Sequence, residues 1–353
     1  MKKEISVSEM RILLFSAFFL FSCVFLGSFG NLPVFAPAAA QDDMDDEEEE
    51  EDEDDFKNLT IPKPVELTGE VLKTSDGVLL SATFYPGNRG KKSVPLILIH
   101  GWDGSRKDFT TLALHLQEEG HAVLVPDLRG HGKSTQKELQ PEVYKKIDTK
   151  NQAVIFAEML KYDLPVLKAF LRAENNKGNL NIDKLGLVGI ESGAILAAAY
   201  AAEDWSPNIK RTNKANPKMG DVKAIVLISP LKIFAKVKLA DQFTKNPLWM
   251  QNFSALVLCG SNPPSTIEVP DKLEKAMLAV MKKAGGEDKT IVLNEDGTKS
   301  EKGGAKKVFA VTMPSKLQGA KLIAKAEGSV ELPTIAHFVN LRLKKRPFTW
   351  VLR

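Results

Sequence analysis

Residues Gly189-Ile190-Glu191-Ser192-Gly193 end one apolar run, Leu185 to Gly189, and open a run of small residues, Ser192 to Ala202. Glycines on both sides of one acidic residue suit a sharp strand-to-helix turn, where any side chain at the flanks would crowd the bend. Such a turn lifts its central side chain above the strand ends, beside the first amides of the following helix. Glu191 is therefore presented to whatever approaches. A glutamate is already an anion at neutral pH, so it can attack an electrophilic carbon but attacks esters and amides poorly. Ser192 is a neighbouring hydroxyl, yet as the opening residue of the helix its side chain should point away from the site. The chain has five histidines, and His337 is the only one that follows Glu191.

The elements that must position these groups are legible as apolar runs. Val65 to Lys73 and Val78 to Tyr85 flank Ser75-Asp76-Gly77, an Asp-Gly turn between alternating segments, which predicts an antiparallel hairpin. Val94 to His100 and Ala122 to Pro126 are continuous apolar runs suited to buried parallel strands, separated by an amphipathic stretch from Lys107 to Glu119. The alternation continues with a helix over Ala153 to Ala173, strands Leu185 to Gly189 and Val222 to Ile228, strand Ala255 to Cys259, and a helix over Asp271 to Ala284. Leu231 to Asn252, with Trp249, reads as a short cap. Lys282 to Lys307 reads as an exposed hairpin loop before strand Lys307 to Thr312. His337 has two placements: on a loop after a short strand Val330 to Pro333, or on the exposed side of a closing helix from Leu332 to Lys345. The helix is preferred, because Leu332, Ile335, Phe338 and Val339 then share one face.

Three segments carry a resemblance. They are His100-Gly101-Trp102 after one strand, Asp127-Leu128-Arg129-Gly130-His131-Gly132-Lys133-Ser134 after the next, and the Gly189 to Gly193 turn. In order, strand context and spacing they resemble the α/β-hydrolase superfamily, nearest its lysophospholipase and serine-aminopeptidase-like branch. That family reads G-x-S-x-G at the turn, so Glu191 stands in the nucleophile's place. The resemblance implies an α/β fold from about Val65 to the C-terminus: a mostly parallel central sheet with an N-terminal antiparallel hairpin, helices on both faces and a minimal cap. It implies an oxyanion site built by the backbone N–H groups of Trp102 and Ser192, with His100, Gly101, Gly189 and Gly193 shaping it, and gives His100 and His131 structural roles. It places the triad acid near Gly260-Ser261-Asn262-Pro263, where no carboxylate stands, the next being Glu268 and Asp271. If His337 lies on the helix, the family's histidine loop falls near Met313 to Gln318, which has none.

These departures predict a catalytically degenerate protein, with Glu191 filling the oxyanion site from within and a pocket kept for a small apolar or acyl ligand. One alternative is an active hydrolase of the esterase, lipase or peptidase class, or one using Glu191 as carboxylate nucleophile, as an aspartate serves in dehalogenase- and epoxide-hydrolase-like relatives, with His337 activating water. Another is a basic protein that docks on an anionic envelope surface.

Charge and the N-terminus bear on the last of these. The formal charge of +3 conceals a tract, Asp42 to Asp55, of 13 acidic residues and no basic one, which leaves 45 basic and 30 acidic residues from Phe56 onward. Such a tract stays solvated as a linker. Lys2, Lys3 and Arg11 precede an apolar run, Ile12 to Gly30, and Ala38-Ala39-Ala40 precedes Gln41. This order predicts a signal peptide over residues 1–40, or an uncleaved N-terminal anchor, and export to a periplasmic or extracellular place. An acidic linker then covers 41–60, and the folded domain 61–353. Cys23 and Cys259 cannot pair within the mature domain, so Cys259 reads as a small buried apolar residue. No sequence pattern calls for a cofactor or a metal, and the scattered lysines, without interleaved aromatics, do not suggest a nucleic-acid partner.

Overall fold

The computed structural model describes residues 60–206, 219–285, 289–293, 299–303, 307–325 and 328–353. The expected signal peptide or anchor and the acidic tract lie outside the described residues. The strands are β1 (Val65–Leu67), β2 (Ser81–Tyr85), β3 (Pro95–Ile99), β4 (Ala122–Asp127), β5 (Gln136–Gln140), β6 (Val143–Lys146), β7 (Leu185–Ile190), β8 (Val222–Ile228), β9 (Ile233–Phe234), β10 (Val237–Lys238), β11 (Ser254–Gly260), β12 (Lys289–Leu293), β13 (Lys299–Gly303) and β14 (Val308–Met313). Eight of them form one sheet in the order β1-β2-β4-β3-β7-β8-β11-β14. The pairings β1–β2 and β2–β4 are antiparallel, and those from β4 to β14 are parallel.

The parallel strands are mostly apolar because helices cover both faces, and strand alternation sorts their side chains between two cores. Ile97, Ile99, Leu185, Leu187, Ile225, Leu227, Ala255 and Val257 join one core. Their neighbours Leu96, Leu98, Val188, Ile190, Val226, Ile228, Leu256 and Leu258 join the other. Helix α1 (Thr110–Glu118) packs into this second core through Leu112, Ala113 and Leu116.

The first core is covered by a run that reads α2 (Gln152–Glu158), a π-helical turn (Met159–Asp163) and α3 (Leu164–Asn176). The π-turn lies just ahead of Pro165, whose missing N–H breaks the regular bonding of what the sequence suggests is one helix. Also on this side are α4 (Ser192–Asp204) and, after the short α5 (Leu239–Thr244) and α6 (Pro247–Asn252), the longer α7 (Pro270–Lys283). The closing helix α8 (Glu331–Val339) lies on the second face through Leu332, Ile335, Phe338 and Val339.

Most predicted elements are present within a residue or two. The N-terminal hairpin is real but interrupted: β1 and β2 pair only over Val65–Leu67, and a tight turn closed by Thr74 and Val78 occupies the middle. The predicted hairpin after α7 is β12–β13, paired antiparallel. Trp249 is fully buried, stacked on Phe243 and against Phe253, so it belongs to the core rather than to a cap. The β5–β6 hairpin was not expected, because its polar sequence gives no apolar alternation.

Candidate functional site

The C-terminal ends of β3, β7, β8, β11 and β14 meet at one rim, and the Gly189 to Gly193 turn stands at its centre. Glu191 is held at φ 52° and ψ −112°, a backbone state costly for any residue with a Cβ and usually kept where a site requires it. The two glycines are needed for close approach. A Cβ on Gly189 would lie 2.5 Å from Gly193 O, and one on Gly193 would collide with the carbonyl oxygens of Ile99 and His100. The Glu191 N–H donates to Ile228 O at 3.0 Å, which fixes the turn to β8.

The carboxylate of Glu191 reaches across the strand ends. Its Oε2 would stand 3.1 Å from a Cβ on Gly101, and a Cβ on Gly319 would collide with its Oε1. Burial, with Asp103 and Asp108 nearby, pushes its pKa above the usual carboxylate range, and no hydrogen bond from the described residues opposes that shift.

The amide that the resemblance assigns to an oxyanion, that of Trp102, already has a side-chain partner. The Trp102 N–H donates to Ser192 Oγ at 2.7 Å. Ser192 is buried and turned towards the β3 loop, not away from it, because that amide offers its hydroxyl a partner at the first turn of α4. Ser192 therefore engages the Trp102 amide, while the Glu191 carboxylate lies between Gly101 and Gly319.

Little space is left beside Ser192. The space beside Ser192, lined by His100, Trp102, His131, Met159 and Phe234 among others, amounts to about 10 Å³. That is room for about one water, whereas small-molecule sites run to several hundred Å³. Phe234, from the β9–β10 hairpin, lies 5.2 Å between centroids from Trp102 and 6.0 Å from Phe156, and His131 meets the Trp102 ring edge-on at 4.9 Å. The cap predicted over Leu231 to Asn252 is thus this hairpin alone, acting as an aromatic stopper.

The two histidines of the rim motifs are committed to backbone. His100 is fully buried, Leu128 N–H donates to its Nε2 at 3.0 Å, and its Nδ1 lies 2.7 Å from Gly101 O. With Nε2 accepting, the proton sits on Nδ1. Burial lowers its pKa to about 4, so the ring is neutral at pH 7. His131 Nδ1 lies 2.9 Å from Arg129 O.

The places assigned to the triad acid and base hold a different network. β11 ends at Gly260 and runs on into Ser261-Asn262-Pro263, without a carboxylate; Asp271 lies exposed in the first turn of α7 and Glu268 bonds through its N–H to Pro230 O. After β14, Gln318 Oε1 accepts from Ser229 Oγ at 2.9 Å and from Gly260 N–H at 3.1 Å, and Gly319 N–H donates to Ser229 Oγ at 2.9 Å. Ser229, Gln318 and Gly319 were not singled out from the sequence. Only the lack of a histidine between Met313 and Gln318 pointed there. His337 is exposed on α8, on the side opposite the buried Leu332, Ile335, Phe338 and Val339. The fold thus brings Glu191, Ser192, Gly101, Trp102, Gly189, Gly193 and His100 to one rim and leaves His337 elsewhere. Among the described residues no group of three or more His, Cys, Asp or Glu is arranged to hold a metal ion.

A family model for the alpha/beta hydrolase fold matches residues 94–258, from β3 to β11, which includes every rim motif. The chain has the α/β-hydrolase fold. Solved structures similar to this α/β-hydrolase-fold chain include the Pyrococcus furiosus esterase PF2001, at 14% identity and a TM-score of 0.50, covering 82% of this chain and 99% of its own. A Klebsiella pneumoniae protein assigned as a dienelactone hydrolase is similar at 14% identity and a TM-score of 0.50, covering 81% of this chain and all of its own. At such identity the likeness extends to the fold. No curated protein matches the chain by sequence.

Proposed function

We propose that this α/β-hydrolase-fold protein is catalytically silent as a serine hydrolase and acts by binding. The observation that carries this reading is the 2.7 Å bond from the Trp102 N–H to Ser192 Oγ, because it engages the donor that a developing oxyanion would need. Glu191 at the turn, Gly319 against its carboxylate and the Ser229–Gln318–Gly260 network support the same reading. A hydrolase stripped of nucleophile, base and acid keeps only a small residue of rate. The apolar N-terminal run and the small residues before Gln41 support export.

The test is hydrolysis of short and long p-nitrophenyl esters by the full chain and its Glu191→Gln, Ser192→Ala and His337→Ala variants. All four should stay at the uncatalysed background. Turnover by the unaltered chain that one substitution abolishes would overturn the proposal and identify the working group.

A further inference from the structure

Two tight hairpins rise beside the small cavity. In the first, β5 bonds on its inner side to the turn before β2, through Leu79 N–H to Gln136 O at 3.1 Å and Glu138 N–H to Gly77 O at 2.8 Å. That leaves β6 as the outer strand, with all four of its residues exposed. Leu139 is 56% exposed, Val143 50% and Tyr144 49%. In the second hairpin, β9–β10, Ile233 is 53% exposed. Both turns are set by non-glycine residues in the left-handed region, Glu142 at φ 63° in one and Ala235 and Lys236 at φ 48° and 67° in the other. An open groove of about 560 Å³, lined by residues 150–153 and by Ala235 and Lys236, joins the second hairpin to the chain leaving the first.

Among the exposed charges around these apolar groups, five lysines (Lys145, Lys146, Lys150, Lys236 and Lys238) outnumber three acids (Glu142, Asp148 and Asp241). Lys145, Lys146, Lys150 and Lys236 are exposed, and none of them is in an ion pair among the described residues. Two observations must then be met by one partner. A soluble polyanion would engage the lysines but leave Leu139, Val143, Tyr144 and Ile233 in water. The interface of a bilayer takes both, because large apolar and aromatic side chains enter the headgroup boundary while flanking lysines reach lipid phosphates.

We propose that this rim, formed by β5–β6, β9–β10 and the start of α2, is a docking surface for a membrane rich in anionic phospholipid. The inference goes beyond catalytic silence and does not depend on it. The docked face is the one that carries the aromatic stopper, so the small cavity is turned towards the lipid.

The test is flotation of the full chain with vesicles of phosphatidylcholine alone and of phosphatidylcholine mixed with phosphatidylglycerol. Three variants run in parallel: Val143→Asp with Tyr144→Asp; Lys145→Glu with Lys146→Glu and Lys150→Glu; and, at the other end of the sheet, Lys92→Glu with Lys345→Glu and Arg346→Glu. Circular dichroism confirms that each is folded. The chain should bind the mixed vesicles more tightly than phosphatidylcholine alone. Each rim variant should weaken that binding about ten-fold or more, since each lysine near an anionic surface contributes about five-fold in affinity and apolar side chains lost from the headgroup boundary add to this, and the far-end variant should keep it. Equal binding by all forms, no preference for the anionic vesicles, or loss confined to the far-end variant would overturn the proposal. So would loss in the lysine variant with Val143→Asp and Tyr144→Asp unaffected, which would mark a soluble polyanion as the partner instead.

Discussion

Glu191 is half-buried, carries a raised pKa, and its carboxylate receives no hydrogen bond among the described residues, so its charge is a burden on the folded state at neutral pH. A carboxyl group whose folded pKa exceeds its unfolded value makes the folded state hold its proton longer. Stability is then lost as pH rises from the unfolded pKa through the folded one. Glu191→Gln should therefore raise the melting temperature at pH 7, and the gain should vanish once the pH falls below the ordinary glutamate range; calorimetry across that interval checks it. The site was partly legible at this scale. Gly189, Glu191 and Gly193 announce the turn because glycine is demanded by carbonyls that approach from β3, and the absence of an acid after Gly260 is plain in the sequence. The Ser192–Trp102 bond was not legible, since a serine that opens a helix can turn either way and the choice depends on an amide 90 positions earlier in the chain.

At the scale of elements, the loop after β4 is braced by one cation. Arg129 is buried and donates to Asp163 through Nε at 2.8 Å, to Glu158 through Nη1 at 2.7 Å and to Asp76 through both terminal nitrogens at 3.0 Å. It thereby ties the β1–β2 connection to the π-turn between α2 and α3. Burial pushes Asp163 up to about 6, although Arg129 opposes it, and Asp163 stays ionised at neutral pH. Burial also favours a raised pKa at Asp76, but hydrogen bonds from Arg129 and Thr74 outweigh it and hold that carboxyl near 2. The two carboxyls act in opposite senses: Asp76 contributes stability that is lost as pH falls from about 4 towards 2, whereas Asp163 exacts a cost that grows as pH rises from about 4 to about 6 and is complete above that. Arg129→Met should cost about 3–5 kcal/mol at pH 7, because it strands a buried carboxylate. Urea unfolding at pH 7 and pH 5 should show that deficit shrinking at the lower pH, where Asp163 takes up a proton. The sequence marks Arg129 within a rim motif but not its three partners, which come from separate segments. The β5–β6 hairpin escaped notice for a related reason, its pairing being set by turns and backbone bonds rather than by an apolar stripe.

Across the whole molecule, the parallel sheet and its two helical layers were readable because runs such as Leu96 to Ile99 and Ala224 to Ile228 are apolar on both faces. The closure of its far end was not. There the C-terminal arm is held by asparagines: Asn181 donates to Phe348 O at 2.8 Å, Asn175 to Val351 O at 3.0 Å, and Asn176 both donates to Arg353 O and accepts from Arg353 N–H. The Arg353 guanidinium is 1% exposed and lies 2.6 Å from Asp183 and from Asp221, the latter shared with Lys168. Arg353→Ala should lower unfolding stability by about 3 kcal/mol, since it leaves partly buried carboxylates short of a partner, and equilibrium urea titration measures it. The sheet order has a kinetic consequence as well. Leu96 in β3 is bonded beside Gly186 in β7, and the antiparallel β2 reaches its partner β4 only after β3 has been made, so the central ladder cannot close until the chain is synthesised well past its middle. Such distant pairings carry a loop-closure cost before they are rewarded, which makes refolding slow and leaves the early apolar strands exposed to aggregation while they wait.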